Sequence, residues 1–216
     1  IEYAKTIIKP GMNLLDLRDL CERKMLELGA DSFWYWDVGA FVFAGEKTAV
    51  SVPGREYKTD DYIIRANDII TIDLSPQNNR TWGDYARTLI IENGDIVKDI
   101  EQIQNDEWRK GVKMEEYLHE AMRSFVDEST TFEELFYYIN DQIQAHGYVN
   151  LDFLGNLGHS IVKDKEQRIY IEKGNIERLS AVEAFTFEPH ISLPGSLYGF
   201  KKENIYGFNN GVLLEM

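Results

Sequence analysis

Two segments of the chain carry apolar residues at the three- and four-residue spacing of an amphipathic helix. The first segment begins at Asn13, a residue type that caps helices, and ends at Gly29. The second begins with Thr131 and Glu134, a capping-box pair, and ends at Gly147. A further helix is predicted before each segment, around residues 2–8 and 106–126. The predicted core positions are Leu14, Leu17, Cys21, Met25, Leu28, Leu135, Ile139 and Ile143.

Other segments alternate apolar and polar residues, which is typical of half-buried β-strands. In the run 69–74 the isoleucines at 70 and 72 share one face, and Thr71 and Asp73 share the other. In the run 185–190 the two phenylalanines share one face, and Thr186, Glu188 and His190 share the opposite face. The dipeptides Asn93-Gly94 and Asn210-Gly211 predict two-residue hairpin turns.

The order of these elements predicts the fold class. Helices come together and antiparallel hairpins follow, and this sequence of elements occurs twice, which indicates an α+β fold built by internal duplication. We expect one domain over residues 1–216, with halves at approximately 1–98 and 99–216.

Each predicted half contains one pair of carboxylates in its later strands. The midpoint of Asp73 and Asp84 falls between Asn78 and Asn79, which suits a tight turn and predicts that the two aspartates are directly opposed. The midpoint of Glu188 and Glu203 falls in the same way between residues 195 and 196. Opposed like charges destabilise a sheet unless a cation compensates them. Two such pairs, with His159 between them in the chain, therefore predict a metal site.

The composition narrows the expected partners. The formal net charge of −14 disfavours nucleic acid and anionic membranes as partners. The single cysteine, Cys21, excludes an internal disulfide and suits a reducing compartment. Since neither a signal peptide nor an apolar run long enough to span a membrane is visible, we expect a cytoplasmic protein. We expect a small peptide or amide as substrate and, at most, a second copy of the chain as partner.

The candidate metal ligands lie in five short motifs. These are the strand run 68–73 that ends at Asp73, Asp84-Tyr85-Ala86-Arg87-Thr88, Gly158-His159-Ser160-Ile161, Phe185-Thr186-Phe187-Glu188-Pro189 and Glu203-Asn204. Taken together and in this order, the motifs resemble those of the metallopeptidase family that contains methionine aminopeptidases, aminopeptidase P and prolidase. The resemblance covers nearly the whole chain and implies the family's pita-bread fold, with two pseudo-twofold related halves.

The resemblance also implies a dinuclear metal site. Asp73 would hold the first metal ion, and His159 and Glu188 the second, with Asp84 and Glu203 as bridges. Four carboxylates and one imidazole, with no thiolate, favour Mn²⁺, Fe²⁺, Co²⁺ or Zn²⁺. Glu188 would also serve as the general base that activates water.

The chain departs from the family pattern in its histidines. The family's substrate-contacting histidine would fall near residues 52–56, and the second histidine of proline-specific members would fall within 161–168, but neither segment contains one. His190 follows the Glu-Pro pair and has two interpretations. It either replaces a missing proton donor or hydrogen-bonds to groups around the site. His119 and His146 are predicted to be solvated structural residues.

The aromatic run Phe33-Trp34-Tyr35-Trp36 also has two interpretations. Core packing is the favoured one, and lining of a substrate pocket is the alternative.

The function predicted from these features is a dinuclear metal-dependent hydrolase, an aminopeptidase or dipeptidase acting on the N-terminal residue of a peptide or on a related small amide. The alternative is a catalytically impaired family member that binds peptide or protein. A metal-free carbon–nitrogen hydrolase such as creatinase ranks last, because it would need histidines that this chain lacks.

Overall fold

The computed structural model describes residues 1–152 and 154–216, and within these residues the chain forms four α-helices and fourteen β-strands. The helices are α1 (Glu2–Ile7), α2 (Leu14–Glu27), α3 (Asp106–Phe125) and α4 (Phe132–Ala145). The strands are β1 (Ser32–Phe33), β2 (Ala40–Ala44), β3 (Asp68–Leu74), β4 (Pro76–Asn78), β5 (Thr81–Trp82), β6 (Tyr85–Glu92), β7 (Asp95–Ile96), β8 (Val149–Asn150), β9 (Ser160–Ile161), β10 (Ala184–Phe187), β11 (His190–Ser192), β12 (Phe200–Lys201), β13 (Asn204–Asn209) and β14 (Val212–Glu215).

The first residues of α2 and α4, the two helices predicted from amphipathic patterns, follow from their capping residues. The Asn13 side chain accepts a hydrogen bond of 2.8 Å from the Leu15 N–H, which satisfies a donor that the first turn of α2 leaves free. Thr131 and Glu134 form the predicted capping box at the start of α4. Leu28 was wrongly predicted to be in the core. It lies after the last residue of α2 and is 76% exposed, because the chain leaves the helix there.

The strands form four antiparallel sheets. The two larger sheets have the strand orders β2-β3-β6-β7 and β14-β13-β10-β9, and the two smaller ones have the orders β1-β4-β5 and β12-β11-β8. Both predicted hairpin turns are present, since Asn93 and Asn210 have left-handed φ values of 55° and 51°. Helices and antiparallel hairpins arranged in this way confirm the predicted α+β class.

The hairpin that carries Asp73 has a different register from the predicted one. Asp73 pairs with Ala86, and the turn lies at Asn79 and Arg80, both of which have positive φ. Asn78 stays extended because β4 pairs with β1, and its side chain donates a hydrogen bond to the Gly29 carbonyl. The prediction that Asp73 and Asp84 are directly opposed is therefore wrong. Asp84 lies two residues before Ala86, the actual partner of Asp73. Since side chains two residues apart in a strand share a face, Asp73 and Asp84 still lie on one face of the sheet.

The hairpin that carries Glu188 and Glu203 has the predicted register. Phe187 pairs with Asn204 on one side of the pair, and His190 pairs with Lys201 on the other. Glu188 and Glu203 therefore lie opposite each other at a break between two short ladders. Pro189 contributes to this break because it has no N–H to donate.

Hydrogen bonds between β6 and the segment 201–203 bring the two hairpins together. The Glu203 N–H donates to the Ala86 carbonyl at 2.9 Å, and the Lys201 N–H donates to Thr88 Oγ1 at 2.8 Å. The Arg87 guanidinium donates to the Glu203 carbonyl at 2.6 Å. These bonds place the polar faces of the two hairpins side by side.

The apolar faces of the larger sheets pack against the helices in two main clusters. One contains buried residues of α1, α2, β2, β3 and β6, including Cys21, Ile70 and Ile72. The other contains residues of α3, α4, β10 and β13, including Phe185 and Phe187. The predicted alternation is thus confirmed at these positions. In the described part of the chain, we find no helix that has both the length and the apolar character needed to span a membrane.

Candidate metal centre and substrate cavity

The polar faces of the two hairpins line a cavity of about 440 Å³. Asp73 reaches it from β3, Asp84 from the segment between β5 and β6, and Glu188 from the residue after β10. Glu203 precedes β13, and its side chain is fully buried. One carboxylate oxygen from each of Asp73, Asp84 and Glu203 lies within 4.8 Å of the other two. The structure therefore brings these three predicted ligands together.

His159 faces the same cluster. Its Nε2 atom lies 3.7 Å from Asp84 Oδ2 and 3.7 Å from Glu188 Oε1. The Thr186 hydroxyl, which accepts a hydrogen bond of 3.0 Å from the His159 N–H, fixes the backbone at this position. Burial lowers the pKa of His159 to about 4, so that the imidazole is neutral near pH 7, as a metal ligand must be.

Gly158 allows this close approach. Its φ is +138°, and a Cβ atom at this position would lie 2.2 Å from the Thr186 carbonyl oxygen. Any side chain at Gly158 would therefore push His159 away from β10. This contact explains why a glycine precedes the histidine.

Glu203 has no compensating hydrogen bond. Neither of its carboxylate oxygens has a partner among the described residues, although both are buried. Burial raises the pKa of Glu203 well above its usual value, and the charges of Asp84 and Glu188 add to this effect. Burial, together with Asp73, also raises the pKa of Asp84 well above its usual value. An unpartnered buried carboxylate is costly unless a cation compensates it.

Lys201 is a member of the cluster that the sequence reasoning missed. Its ammonium lies 2.6 Å from Asp73 Oδ2, 2.8 Å from Glu188 Oε2 and 3.8 Å from Glu203 Oε2. Burial alone would lower the pKa of Lys201, but the charges of Asp73 and Glu188 outweigh it and raise that pKa well above its usual value. Lys201 is therefore a permanent cation inside the carboxylate cluster.

Glu188 differs electrostatically from the other three carboxylates. Burial disfavours its ionised form, but the Lys201 ammonium beside it outweighs burial, so that the pKa of Glu188 lies below its usual value. The pKa of Asp73 is raised, because burial outweighs the attraction of Lys201. Glu188 is thus the carboxylate of the cluster that is best held in its basic form.

The donor set fits divalent metal ions. Oxygens from four carboxylates and one neutral imidazole nitrogen converge, and the unpartnered oxygens of Glu203 face the cluster without any hydrogen-bond donor among the described residues. Hard oxygen donors with one imidazole suit Mn²⁺, Fe²⁺, Co²⁺ or Zn²⁺.

His190 also lines the cavity, but its only hydrogen-bond partner among the described residues is the Thr48 carbonyl, 2.7 Å from Nε2. A carbonyl oxygen can only accept, so Nε2 carries the proton and Nδ1 is the acceptor. Burial lowers the pKa of His190 to about 4, so that the neutral ring has no second N–H to offer. This geometry favours the interpretation of His190 as a residue that joins parts of the site over the interpretation as a proton donor.

Aromatic side chains form one wall of the cavity. Trp34 and Trp82 are buried, and the centre of each indole ring lies 5.7 Å from that of the His159 ring. Trp34 was favoured as a core residue and is indeed 3% exposed, yet it also lines the cavity together with Tyr35. Trp36, in contrast, is 57% exposed. Within the aromatic run, Trp34 thus fits both core packing and lining of the cavity, Tyr35 lines the cavity, and Trp36 fits neither interpretation.

Arg168 lies against this wall and was not among the site residues predicted from the sequence. Its guanidinium carbon lies 4.6 Å from the centre of the Trp34 ring and 5.9 Å from the centres of the Trp82 and Tyr170 rings. The Nε atom is buried without a hydrogen-bond partner among the described residues. The segment 161–168 lacks the family's histidine, and no local pattern in it distinguishes the arginine at its end. Lys201, by contrast, could have been found, because the hairpin pairing that opposes Glu188 and Glu203 also opposes His190 and Lys201.

The two remaining histidines have different environments. The prediction that His119 is solvated is wrong, because it is fully buried between Tyr206 and the Lys202 carbonyl. His119 lies on the face of α3 that packs against β13. Its polar neighbours in the sequence gave no sign of this packing. His146 is exposed, as predicted, and its Nδ1 atom contacts the Gln142 carbonyl.

Comparison with known proteins identifies the family and the fold. The profile of metallopeptidase family M24 matches residues 1–214 and confirms the resemblance inferred from the motifs. No curated protein sequence matches the chain.

Solved structures with the same fold include three peptidases. They are an X-Pro aminopeptidase from Thermotoga maritima (TM-score 0.80, 20% identity, 99% of this chain and 55% of that chain), a prolidase from Pyrococcus furiosus (0.79, 19%, 98% and 57%) and a dipeptidase from Pyrococcus horikoshii (0.76, 22%, 99% and 55%). These matches confirm the pita-bread fold. The chain spans little more than half the length of each of these proteins.

Proposed function

Because the chain belongs to metallopeptidase family M24, we propose that it is a dinuclear metal-dependent hydrolase that acts on the N-terminal residue of a small peptide. The observation that carries this proposal is the buried carboxylate of Glu203, which accepts no hydrogen bond from the described residues and lies beside Asp73 and Asp84, two residues that line the cavity. Such a carboxylate has a clear physical role if it holds a cation.

Asp73, Asp84, His159, Glu188 and Glu203 would hold the metal ions. Bound divalent ions polarise a peptide carbonyl and lower the pKa of water at the site. Glu188 accepts the proton of the attacking water, because the Lys201 ammonium keeps this carboxylate ionised. The Thr186 hydroxyl lies 3.4 Å from Glu188 Oε1 and orients the carboxylate. His190 holds the Thr48 segment in place through its Nε2–H.

Arg168 favours a substrate with a free carboxylate. The guanidinium stands over the aromatic wall of the cavity, where burial from water strengthens its attraction for an anion. The C-terminal carboxylate of a dipeptide is such an anion. Prolidase and dipeptidase are the names of two of the similar structures, and they agree with a dipeptide substrate.

The test is a dipeptide panel assayed with the Mn²⁺-loaded protein. Each peptide is offered with a free and with an amidated C-terminus, and release of the N-terminal amino acid is measured. We expect the free acids to be cleaved at least about tenfold faster, since a charged hydrogen bond contributes about 1.5–3 kcal/mol. Arg168→Met should remove this preference, and Lys163→Met, a change of equal charge in the same segment, should keep it.

Turnover on Met-Xaa and Xaa-Pro peptides should be slow, because the family's two substrate-contacting histidines are absent. Binding of dipeptides without any turnover by the metal-loaded protein would instead support the alternative, a peptide-binding member of the family. Addition of a chelator is the control, because activity that survives it would contradict metal dependence.

A further inference from the structure

A second cavity, of about 500 Å³, lies between α1, β6 and α3. Its volume falls within the range of about 300–1,000 Å³ that is typical of ligand sites. The five predicted metal ligands lie outside it, but Lys201 of β12 lines both cavities. The second cavity is therefore a neighbour of the metal centre and a separate space.

Glu115 of α3 is a buried acid in the wall of this second cavity. The residue is 2% exposed, and neither carboxylate oxygen has a hydrogen-bond partner of ordinary geometry among the described residues. Burial raises the pKa of Glu115 well above its usual value, and the backbone N–H and the ammonium of Lys202 offset only part of this effect. An unpartnered buried carboxyl group is costly, and a ligand that donates hydrogen bonds to it would remove this cost.

A metal ion does not suit this acid. Glu115 belongs to no group of three or more potential metal ligands among the described residues, whereas Asp73, Asp84 and Glu203 form such a group. Divalent metal sites in proteins are built from several side chains. The partner that fits Glu115 is therefore an organic ammonium group, which brings three hydrogen-bond donors of its own.

The other two acids in the wall already have partners. Lys5 Nζ lies 2.7 Å from Glu2 Oε1, and Lys202 forms an ion pair with Glu116. Glu115 is thus the acid of this cavity that a ligand would have to compensate.

The wall also carries positive charge without an acidic partner. Five of its residues are lysine or arginine and three are glutamate, although the chain as a whole has a formal net charge of −14. Lys98 is exposed and forms no ion pair with the described residues. Arg87 donates to oxygens of neutral groups, the Ala86 and Glu203 carbonyls and the Asn204 amide. An anionic group fits beside these two cations.

Most of the remaining wall is aliphatic. Its side chains include Leu89, Ile90, Ile96, Val97, Ile100 and Val112. A ligand that buries apolar surface against these side chains gains affinity from the hydrophobic effect.

We propose that the second cavity binds a free amino acid with an aliphatic side chain. The ammonium group of this ligand contacts Glu115, its carboxylate contacts Lys98 and Arg87, and its side chain packs on the aliphatic wall. The three parts of such a ligand match the three kinds of group that the cavity offers. The inference concerns a site outside the metal centre and does not rest on the proposed function.

The test is isothermal titration calorimetry of the Mn²⁺-loaded chain with L-leucine. We expect leucine to bind. N-acetyl-leucine lacks the ammonium group and 3-methylbutylamine lacks the carboxylate, so each should bind at least about tenfold more weakly. Alanine should also bind more weakly than leucine, because it buries less apolar surface.

Variants of the wall locate the bound leucine. Glu115→Gln keeps the shape of the side chain and removes its charge, so leucine should bind at least about tenfold more weakly. Glu120→Gln, at an exposed position on the same helix, is the matched control and should leave binding unchanged. Lys98→Met changes only an exposed side chain and should weaken binding about two- to fivefold. Lys113→Met removes a lysine that pairs with Glu101 on the surface, and it should have no effect.

Binding of leucine at the metal centre is distinguished with Arg168→Met. A leucine affinity that falls in Arg168→Met but is unchanged in Glu115→Gln and Lys98→Met would assign the amino acid to the substrate cavity and overturn this inference. Absence of leucine binding at millimolar concentration, or equal binding of N-acetyl-leucine, would also overturn it. These results leave the proposed function standing, because hydrolysis of dipeptides is measured separately by the release of the N-terminal amino acid.

Discussion

The two hairpins that supply the carboxylates reach the same cavity by different geometry. In the first, the turn at Asn79 and Arg80 places Asp84 two residues away from the partner of Asp73. In the second, Glu188 and Glu203 lie directly opposite each other at a break in the ladder. A shift of two residues in strand register leaves a side chain on the same face of the sheet. A site of this kind therefore depends more on the face that carries each residue than on direct pairing between the residues.

The hairpins also differ in how their charge is compensated. The Lys201 ammonium lies within hydrogen-bond distance of one carboxylate of each hairpin, Asp73 and Glu188, whereas it lies 3.8 Å from Glu203 and makes no ion pair with Asp84 among the described residues. Each hairpin therefore contributes one carboxylate held closely by a protein cation and one that a metal ion would compensate under the proposed function. Four measurements test the differences between the hairpins and their surroundings, beginning with the largest expected effect.

The largest effect is expected from Glu188→Gln. The amide keeps the shape of the side chain but cannot take a proton, so kcat on a cleaved dipeptide should fall by about 10²-fold or more. Asp73→Asn in the first hairpin should act through the metal ion, and added Mn²⁺ should restore part of its activity. Glu183→Gln, on the surface before β10, is the control. Full recovery of Glu188→Gln with added metal would contradict its role as base.

The next effect concerns the two glycines that precede predicted ligands. Gly158→Ala should lower the free energy of unfolding by about 2–4 kcal/mol, because its Cβ would lie 2.2 Å from the Thr186 carbonyl oxygen at a φ of +138°. Gly83→Ala is the matched variant in the first hairpin. Its Cβ would meet Ile205 Cδ1 at 3.5 Å, an ordinary contact, so we expect a change below about 1 kcal/mol. Urea unfolding of both variants measures the difference, and equal losses would show that the close approach at Gly158 can relax.

A smaller effect on stability should distinguish Asp73, which lies close to Lys201, from Glu203, which accepts no hydrogen bond from the described residues. In the presence of a chelator, Glu203→Gln should cost less stability than Asp73→Asn by about 1 kcal/mol or more. The first removes a buried carboxylate that accepts no hydrogen bond from the described residues and lies 3.8 Å from Lys201, whereas the second removes the carboxylate that lies 2.6 Å from Lys201. Glu203→Gln should also reduce the rise in melting temperature caused by Mn²⁺, since binding to the native state alone stabilises it. The opposite order of stabilities in the chelator would mean that Glu203 is compensated in the metal-free protein.

The smallest effect is a pH dependence that arises outside the carboxylate cluster. Burial lowers the pKa of His119 well below its usual value, so the unfolded chain takes up a proton before the folded one does as the pH falls. The contribution of His119 to stability is therefore fully present above about pH 6.5, the value for an exposed histidine, and is lost below it by up to about 1.4 kcal/mol per pH unit.

Urea unfolding of the native chain and of His119→Gln at pH 7 and pH 5.5 measures this contribution. The native chain should lose more stability than the variant over this interval, because glutamine does not titrate. The exposed residue His146 offers the control His146→Gln, which should follow the native chain. Equal losses in the native chain and in His119→Gln would show that His119 does not titrate in this range.

The sequence by itself determined the elements and the ligand candidates of this protein. Local signals are sufficient for a helix cap such as Asn13 and for a turn such as Asn93-Gly94, because the hydrogen bonds and dihedral angles involved lie within a few residues. Strand alternation placed Asp73 and Glu188 on polar faces for the same reason. The motifs then identified the family, which composition and charge alone could not do.

Only the tertiary structure decided what surrounds these residues. The turn after β4 moved by one residue because the pairing of β4 with β1 and the hydrogen bond from Asn78 to the Gly29 carbonyl hold Asn78 extended. Both contacts join residues that are far apart in the chain. His119 proved to be buried because β13 covers its face of α3, and Lys201 and Arg168 gained their partners from distant segments. Burial and charge compensation depend on contacts between residues far apart in sequence, and a local pattern does not specify such contacts.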